Sequence, residues 1–545
     1  MSDIGSELSS QTLPHRPPPP PSPRLRKDIL NLRRDELDLF VRALYHIQNL
    51  PAEDENSFFK ISGFHGEPFR GAGYTNPQWW GGYCNHGNVL FPTWHRAYLL
   101  RLEKALQSIG PEYANVTIPY WNEISDATAN NGIPPVLLQK TYTFVDESSI
   151  RNPLYSYILS ASVHDTATGD GDNYSKPRGY ETVRFPFSGL QSGDFAAQAK
   201  RYNADLATKT EAEINAALND NVHRWIFDQS LVNSDYNTIS TGEKQNYLQC
   251  LDAPNYTCFS NTTSMQQWNF ECNDKDLPEV MSLERPHNGV HLAVGGFHIP
   301  KQGNRDVAEY SLANGDMGEN NTAGFDPIFY LHHCFIDLVF WVWQCRHGQT
   351  HQLDIIPEYP GTNSVDSQGP TPGVPGNVWL TVDSPLAPFK RPNTGAFMTS
   401  RDVTNIKALG YDYDIPHELQ PHLPGNPPFP PAPGAPEPHP HLHISGINRA
   451  PISGSFVVSI WVRDSESQKE WLVAVEPVLS RSQVEGCANC LRHLDVRSFV
   501  PLLGWSPEDA QKAEFFVKLH THADKEGKSM PKGQKPTVRL GGLQK

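Results

Sequence analysis

Histidines at metal-binding spacing occur in three separated stretches of this 545-residue chain. In "ERPHNGVHLAVGG", His287 and His291 lie four residues apart. Successive residues of an α-helix are rotated by about 100°, so these two side chains differ by only about 40° around a helix and can reach one ion. The pair alone is a modest signal, because a chain with 22 histidines contains this spacing by chance.

A second stretch, "FDPIFYLHHCFIDLVFW", holds two adjacent histidines, His332 and His333. Neighbouring side chains point about 100° apart on a helix, so one ion is expected to bind only one of them. The other histidine is expected to support a ligand from behind or to pack in the core. Asp337 follows His333 on the same helix face. It could accept a hydrogen bond from the imidazole, or it could form a surface ion pair.

The third stretch is "GGYCNHGNVLFPTWHRAYLLRLE". His86 is expected in a loop, and His95 in the first turn of a helix that Pro92 can begin. Both can converge on one ion, which then needs a third ligand from upstream. The candidates are His46, within an amphipathic helix, and His65, in a glycine-flanked loop. We favour His65, because a loop presents a ligand more freely.

Two sets of three histidines, without several thiolates or carboxylates, suit copper or zinc. A helical bundle can hold a pair of metal ions between histidines from facing helices. The number of candidate ligands therefore predicts a dinuclear centre.

The sequence predicts that the elements positioning these histidines are helices. Apolar residues recur at helical spacing in "ILNLRRDELDLFVRALYHIQNL", which begins at Ile29. The same pattern predicts further helices, separated by long loops, at 92–108, 209–227, 283–294 and 326–344. We therefore expect a mainly α catalytic domain over residues 26–415, with a four-helix bundle around the metal pair.

The composition changes on either side of this domain. Residues 1–25 form a proline-rich arm, expected to be extended, and residues 416–443 form a Pro/His-rich linker. Beyond the linker, "GSFVVSIWVRD", "EWLVAVEPVL" and "AEFFVKLHTHA" alternate with period two, and "PTVRLGGL" closes the chain. Such segments predict strands, so residues 444–545 are expected to form an antiparallel β-sandwich domain.

Charge and hydropathy limit the partners. A net charge of −15 argues against a nucleic acid partner, which needs a basic surface. The sequence shows neither a long uncharged apolar segment nor a signal peptide, so no membrane partner and an intracellular location are expected. Eight cysteines are sparse for a disulfide scaffold. The sequence leaves open whether Cys250, Cys258 and Cys272 are free or paired.

The motifs "FPTWHRAYLLRLE", "HNGVH" and "FDPIFYLHH", in this order, resemble the two copper-binding regions of the type-3 copper superfamily of tyrosinases, catechol oxidases and haemocyanins. Fungal tyrosinases, with a C-terminal shielding domain, are the most similar group. The resemblance covers about residues 26–415. It implies two copper ions, the first held by His65, His86 and His95, and the second by His287, His291 and His333. His333 is taken over His332 because the family keeps a histidine at that place.

Three further roles follow from the resemblance. "CNH" matches a cysteine that forms a thioether with the second histidine, so Cys84 would be linked to His86; a free buried cysteine is the alternative. Glu284 and Asn288 match the pair that holds a water able to deprotonate a bound phenol, although Glu284 could instead cap its helix. Phe329 matches the aromatic residue that overhangs the second copper, and it would otherwise be a core residue.

The resemblance also extends to both ends of the helical domain. Tyr411 and Tyr413 in "GYDYD" match the motif at which an N-terminal arginine docks, here Arg26. The β-rich C-terminal domain would cover the copper pocket, with Val478 or Leu479 as weak candidates for the inserted side chain. In "CANC", the two cysteines match a copper-loading motif, with a redox-active pair as the alternative: Cys487 and Cys490.

The implied activity is a latent tyrosinase that uses O2 to hydroxylate monophenols and to oxidise o-diphenols to o-quinones, on the route to melanin. A catechol oxidase without monophenol activity and a haemocyanin-like O2 carrier are the alternatives. A zinc hydrolase is remote, because "HNGVH" lacks a general-base glutamate. O2 and small phenols or catechols are the expected partners, together with a possible second copy of the chain, an activating protease or a copper donor.

Overall fold

The structure is a computed structural model of the chain. It describes residues 23–66, 82–163, 175–193, 195–275, 279–299, 310–366, 373–425, 440–465, 467–480 and 495–541.

Thirteen α-helices lie within these described residues. They are α1 (Arg34–Gln48), α2 (Phe58–Gly63), α3 (Phe91–Gln107), α4 (Asp126–Asn131), α5 (Ala196–Leu206), α6 (Glu211–Ile226), α7 (Glu243–Cys250), α8 (Tyr256–Ser260), α9 (Thr262–Lys275), α10 (Glu284–Gly295), α11 (Ile328–Arg346), α12 (Ser400–Val403) and α13 (Pro507–Lys512). The five long helices expected from the apolar pattern correspond to α1, α3, α6, α10 and α11.

Local sequence explains where the principal helices begin. Pro92 occupies the first turn of α3, where its missing N–H costs nothing. At the start of α6, Thr210 and Glu213 form a capping box, in which each side chain accepts a hydrogen bond from the other's backbone. Helix α11 is long and apolar enough to span a membrane, but 94% of its most apolar window is buried inside the protein. Its composition is therefore that of a central core helix.

Fourteen strands occur in the same described part of the chain. They are β1 (Arg24–Arg26), β2 (Thr141–Thr143), β3 (Ser149–Arg151), β4 (Leu231–Val232), β5 (Thr238–Ile239), β6 (Pro385–Lys390), β7 (Phe397–Thr399), β8 (Tyr411–Tyr413), β9 (His441–Asn448), β10 (Phe456–Arg463), β11 (Glu470–Val478), β12 (Asp495–Pro501), β13 (Glu514–His520) and β14 (Thr537–Gly541). Strands β2 to β7 form three small hairpins within the helical region.

The C-terminal region is rich in strands, as expected. It holds two three-stranded antiparallel sheets, in the orders β11-β10-β13 and β12-β9-β14. The alternating segments expected as strands correspond to β10, β11, β13 and β14. Strands β9 and β12 were not predicted from the sequence. Strand β9 begins at His441, inside the stretch 416–443 described above as a linker. Both sheets contribute to one hydrophobic cluster that includes Ile444 of β9 and Val458 of β10.

Asp337 has neither of the two roles considered for it from the sequence. It is buried on α11 and accepts hydrogen bonds from Arg96 Nε at 2.5 Å and Arg26 Nη1 at 3.2 Å. The hydroxyls of Tyr411 and Tyr413 each donate to it at 2.7 Å. Burial alone would raise the pKa of Asp337, but Arg96 and Arg26 outweigh burial and hold that pKa below its usual value. The carboxylate therefore anchors α11, not an imidazole.

The same contacts place Arg26 against the tyrosine motif. Strand β1 pairs in parallel with β8, and the Arg26 guanidinium lies 3.8 Å from the Tyr411 ring centroid. Arg26 Nε also donates to Glu103 on α3 at 3.0 Å. The N-terminal strand thus ties the end of the helical domain to its core helices.

Candidate metal centre

The six histidines expected as ligands come together in the core. His65 follows α2 and His86 precedes α3, while the other four lie on α3, α10 and α11. Ring centroids are 4.4 Å apart for His95 and His333, and 5.6 Å apart for His86 and His287. All six are buried. His46, the rejected candidate, is exposed on α1.

The second set has a spacing that fits one metal ion. The Nε2 atoms of His287 and His291 each lie 3.3 Å from Nε2 of His333. Two nitrogens bound tetrahedrally to one ion at 2.0–2.1 Å are separated by about 3.3 Å. The Nδ1 atoms of His287 and His291 bond to Asn288 Oδ1 at 2.9 Å and to the Met317 carbonyl at 2.7 Å. These bonds orient both rings and leave Nε2 for the metal.

The first set is oriented in the same way. His65 Nδ1 bonds to the Asn320 carbonyl at 3.0 Å, and His95 Nδ1 to the Phe91 carbonyl at 2.8 Å. Among the described residues, the buried Nε2 of His95 has no hydrogen-bond partner. An unsatisfied buried nitrogen is costly unless a ligand completes it. The structure therefore favours a bound ion here as well.

Burial keeps these imidazoles in the form that binds metals. Desolvation, reinforced by neighbouring histidines, lowers the pKa of His95 to about 3. It also lowers the pKa values of His287, His291 and His333 well below their usual range. These four rings are therefore neutral at physiological pH, which leaves a nitrogen lone pair for a metal.

The chain resembles known proteins over almost its whole length. The family described as "Common central domain of tyrosinase" matches residues 55–346. A tyrosinase of Aspergillus oryzae (strain ATCC 42149 / RIB 40) is 45% identical over 521 residues, covering 92% of this chain and 94% of that protein. A tyrosinase of a Hahella species is 44% identical over 510 residues, covering 89% and 88%.

The chain belongs to the tyrosinase family.

A solved structure supports this assignment. The tyrosinase from Burkholderia thailandensis at low pH superposes with a TM-score of 0.78 at 40% identity, covering 95% of this chain and all of that one. The tyrosinase family consists of dinuclear copper enzymes that use O2 and phenolic substrates, and this chain is one of its enzymes. The two histidine clusters could bind its copper ions.

In this member of the family, Cys84 lies beside the first histidine set. Its Sγ and the ligand nitrogens of His65 and His86 all lie within 4.8 Å of one another. The cysteine is buried, as a thioether partner or a core thiol would be. Cys250 and Cys258, whose state the sequence left open, are buried free thiols.

Glu284 is the first residue of α10, but its carboxylate does not cap that helix. Oε1 accepts a hydrogen bond from the Gly87 N–H at 2.7 Å, and Oε2 accepts one from the Thr262 N–H at 2.9 Å. Burial raises the pKa of Glu284. Glu284 and Asn288 line the same small pocket, so the pair predicted from the sequence faces a common space.

Phe329 lies against both histidine sets. Its ring stacks on His333, with centroids 4.0 Å apart and planes at 29°, and it lies 4.9 Å from His65. The side chain is fully buried. Phe329 therefore belongs to the core and also forms one wall of the centre.

Strand β11 of the C-terminal region contacts α10 directly. Arg285 donates to Glu476 Oε2 at 2.9 Å and to the Val475 carbonyl at 2.6 Å. Val478 and Leu479 line the same pocket as Glu284 and Asn288. The two side chains considered for insertion thus lie beside the pair considered for deprotonating a bound phenol. Cys487 and Cys490 lie outside the described residues.

A second contact joins the two regions farther along α10. Lys525 donates to the Gly296 carbonyl at 2.9 Å, and its Nζ lies 3.3 Å from the Phe297 ring centroid. Glu319 bonds to His522 and accepts a weaker hydrogen bond from the Ser455 N–H at 3.4 Å. The C-terminal region therefore contacts both ends of the helix that carries His287 and His291.

Glu123 and Tyr247, which support His332 through hydrogen bonds, were not predicted from the sequence. His332 Nδ1 bonds to Glu123 Oε1 at 2.6 Å, and the Tyr247 hydroxyl donates to Glu123 Oε2 at 2.6 Å. Burial raises the pKa of Glu123 well above its usual range. Glu123 lies 209 residues from His332 in sequence, and no local spacing signals their contact.

Proposed function

We propose that the chain is a pro-tyrosinase, which hydroxylates monophenols and oxidises o-diphenols to o-quinones with O2. Its C-terminal region keeps it latent. The observation that carries this proposal is the convergence of six buried histidines in the core, with Glu284 and Asn288 of α10 lining a pocket together with residues of β11.

Each half of the centre would hold one copper ion. His65, His86 and His95 would bind the first ion, and His287, His291 and His333 the second. Bound copper would supply the redox chemistry with O2. The chain itself fixes four of these imidazoles, those of His65, His95, His287 and His291, through their Nδ1 bonds, and it excludes water by burying all six rings. A thioether between Cys84 and His86 would additionally fix the His86 ring and remove a thiol from an oxidising site.

Glu284 and Asn288 would prepare the substrate. Both line the pocket beside His287, where they could hold a water that accepts the phenol proton. Phe329, stacked on His333, would limit how a substrate ring approaches. This pair favours monophenol hydroxylation over a catechol oxidase restricted to diphenols.

Latency would come from the position of β11. Val478 or Leu479 would occupy the pocket entrance, and the two C-terminal sheets would form the sandwich that carries them. Residues Cys487 and Cys490 would receive Cu(I), for which thiolates are suitable ligands. A protease that cuts within 416–443, or a loosening of the contacts around α10, would open the pocket.

Cleavage within 416–443 tests this function. The copper-loaded chain should turn over monophenols very slowly before cleavage and rapidly afterwards, with two copper ions per chain throughout. Equal monophenol turnover before and after cleavage would exclude latency. Turnover of catechols alone would identify a catechol oxidase, and reversible O2 binding without turnover would identify an O2 carrier.

A further inference from the structure

We infer that His332 is a fourth metal-binding histidine of the second set, held for that purpose by Glu123 and Tyr247. This inference rests on the proposed copper function. It differs from that function in assigning a metal contact to the histidine that the family pattern leaves out.

The position of His332 supports a metal contact. One ligand nitrogen from each of His287, His291, His332 and His333 lies within 4.8 Å of the other three. The His332 ring stacks on His287 at 5.1 Å and lies edge-on to His291 at 4.9 Å. Adjacent side chains on a straight helix point about 100° apart, but here the rings of His287 and His291 contact those of both His332 and His333.

The hydrogen bonds of His332 leave one nitrogen for a metal. Glu123 bonds to Nδ1, so Nε2 is the nitrogen that faces the cluster. Within the described residues, this buried Nε2 has no hydrogen-bond partner. A carboxylate behind an imidazole is the usual support of a metal-binding histidine, because it fixes the tautomer and makes the ring a stronger donor.

The partners of Glu123 also support a metal contact at His332. Two other buried carboxylates of this core have cationic partners: Glu243 pairs with Arg285, and Asp337 pairs with Arg26 and Arg96. No lysine or arginine forms an ion pair with Glu123 in the described part of the chain, where its partners are His332 and Tyr247. A metal ion at His332 Nε2 would place a positive charge close to this carboxyl group.

Together these contacts define a path by which a copper ion could reach the second histidine set. His332 would hold copper at the side of the His287, His291 and His333 set that is farther from the first histidine set. The ion could then pass to the final three ligands without leaving the cluster. Glu123 and Tyr247 are positioning residues, since they act through the His332 ring.

Anaerobic titration of the apoprotein with Cu(I), in competition with a Cu(I) chelator, tests this role. Wild-type protein should bind two ions. Glu123→Gln keeps the size of the side chain and replaces its carboxyl group by an amide, and His332→Gln removes the ring. Each should weaken one of the two sites about 10- to 100-fold, as expected for loss of a supporting carboxylate or a ligand. The melting temperature of the apoprotein should change little in Glu123→Gln.

Tyr330→Phe is the matched control. It removes a buried hydroxyl from the same helix, where Tyr330 bonds to Ser62 and Tyr98 away from the cluster. It should leave both Cu(I) affinities unchanged. Wild-type affinities at both sites in Glu123→Gln and His332→Gln would overturn the inference, as would equal weakening of both sites. A wild-type protein that binds fewer than two ions would instead overturn the proposed function, and this inference with it.

Discussion

Glu476→Ala should activate the uncleaved protein. Glu476 accepts a hydrogen bond from Arg285 Nε at 2.9 Å, and the two side chains are only 9% and 8% exposed. This bond joins β11 to the helix that carries His287 and His291. After the substitution, Arg285 keeps hydrogen bonds of 2.7 and 2.9 Å to Glu243.

The structure sets the size of the effect. Breaking a buried ion pair costs about 3–5 kcal/mol when a charge is left without a partner. Arg285 stays paired with Glu243, so the loss is that of one charged hydrogen bond, about 1.5–3 kcal/mol. The bond exists only while the C-terminal region is docked, so its loss acts on the docking equilibrium. At about 1.4 kcal/mol per tenfold change, the open population should rise about 10- to 150-fold.

The assay is the rate of catechol oxidation by the copper-loaded chain, before and after cleavage within 416–443. Glu470→Ala is the control, because Glu470 lies on the same strand and bonds to Lys518 within the C-terminal region at 2.6 Å. Glu476→Ala should raise the rate before cleavage, and Glu470→Ala should not. After cleavage, all three proteins should be equally active. An unchanged rate in uncleaved Glu476→Ala, or an equal rise in Glu470→Ala, would refute the reasoning.

Three other substitutions test separate parts of the site. Cys84→Ser should lower copper content; in copper-loaded wild-type protein, Cys84 should resist alkylation after denaturation, and full alkylation would contradict the thioether. Glu284→Gln should slow monophenol hydroxylation about 10²-fold or more, with a smaller effect on catechol oxidation, and equal slowing of both would exclude a role in proton transfer. Asp337→Asn should lower the free energy of unfolding by about 3–5 kcal/mol at pH 7. Because the pKa of Asp337 is depressed, this difference should shrink as the pH falls below about 4, and denaturant titrations that show no such decrease would contradict it.

Much of the site could be predicted because its signals are local. The spacing of His287 and His291 places both on one face of α10, and Pro92 in the first turn of α3 places His95 at the start of the next turn. The choice of His65 over His46 rested on the contrast between a glycine-flanked loop and an amphipathic helix. In the structure, His65 is buried in the cluster and His46 is exposed.

The partners of isolated charges could not be predicted. Asp337 has the spacing of a residue that orients His333, yet it bonds to Arg26, which is 311 residues away in sequence. Strand β9 was missed because it starts at His441, directly after a proline-rich stretch. Strand β12 starts at Asp495 and lacks the continuous apolar alternation of β10 and β11. In both cases pairing with neighbouring strands outweighed weak local preference.

The sequence by itself determined the family, the helices that carry the ligands and the identity of six candidate histidines, because helical periodicity and motif order are properties of neighbouring residues. Only the tertiary structure decided which groups meet across the core. It placed Glu123 beside Nδ1 of His332, paired Asp337 with two arginines and packed β11 against α10. Such contacts depend on how whole helices and sheets pack, and a buried charge takes whichever partner that packing brings within a few ångströms.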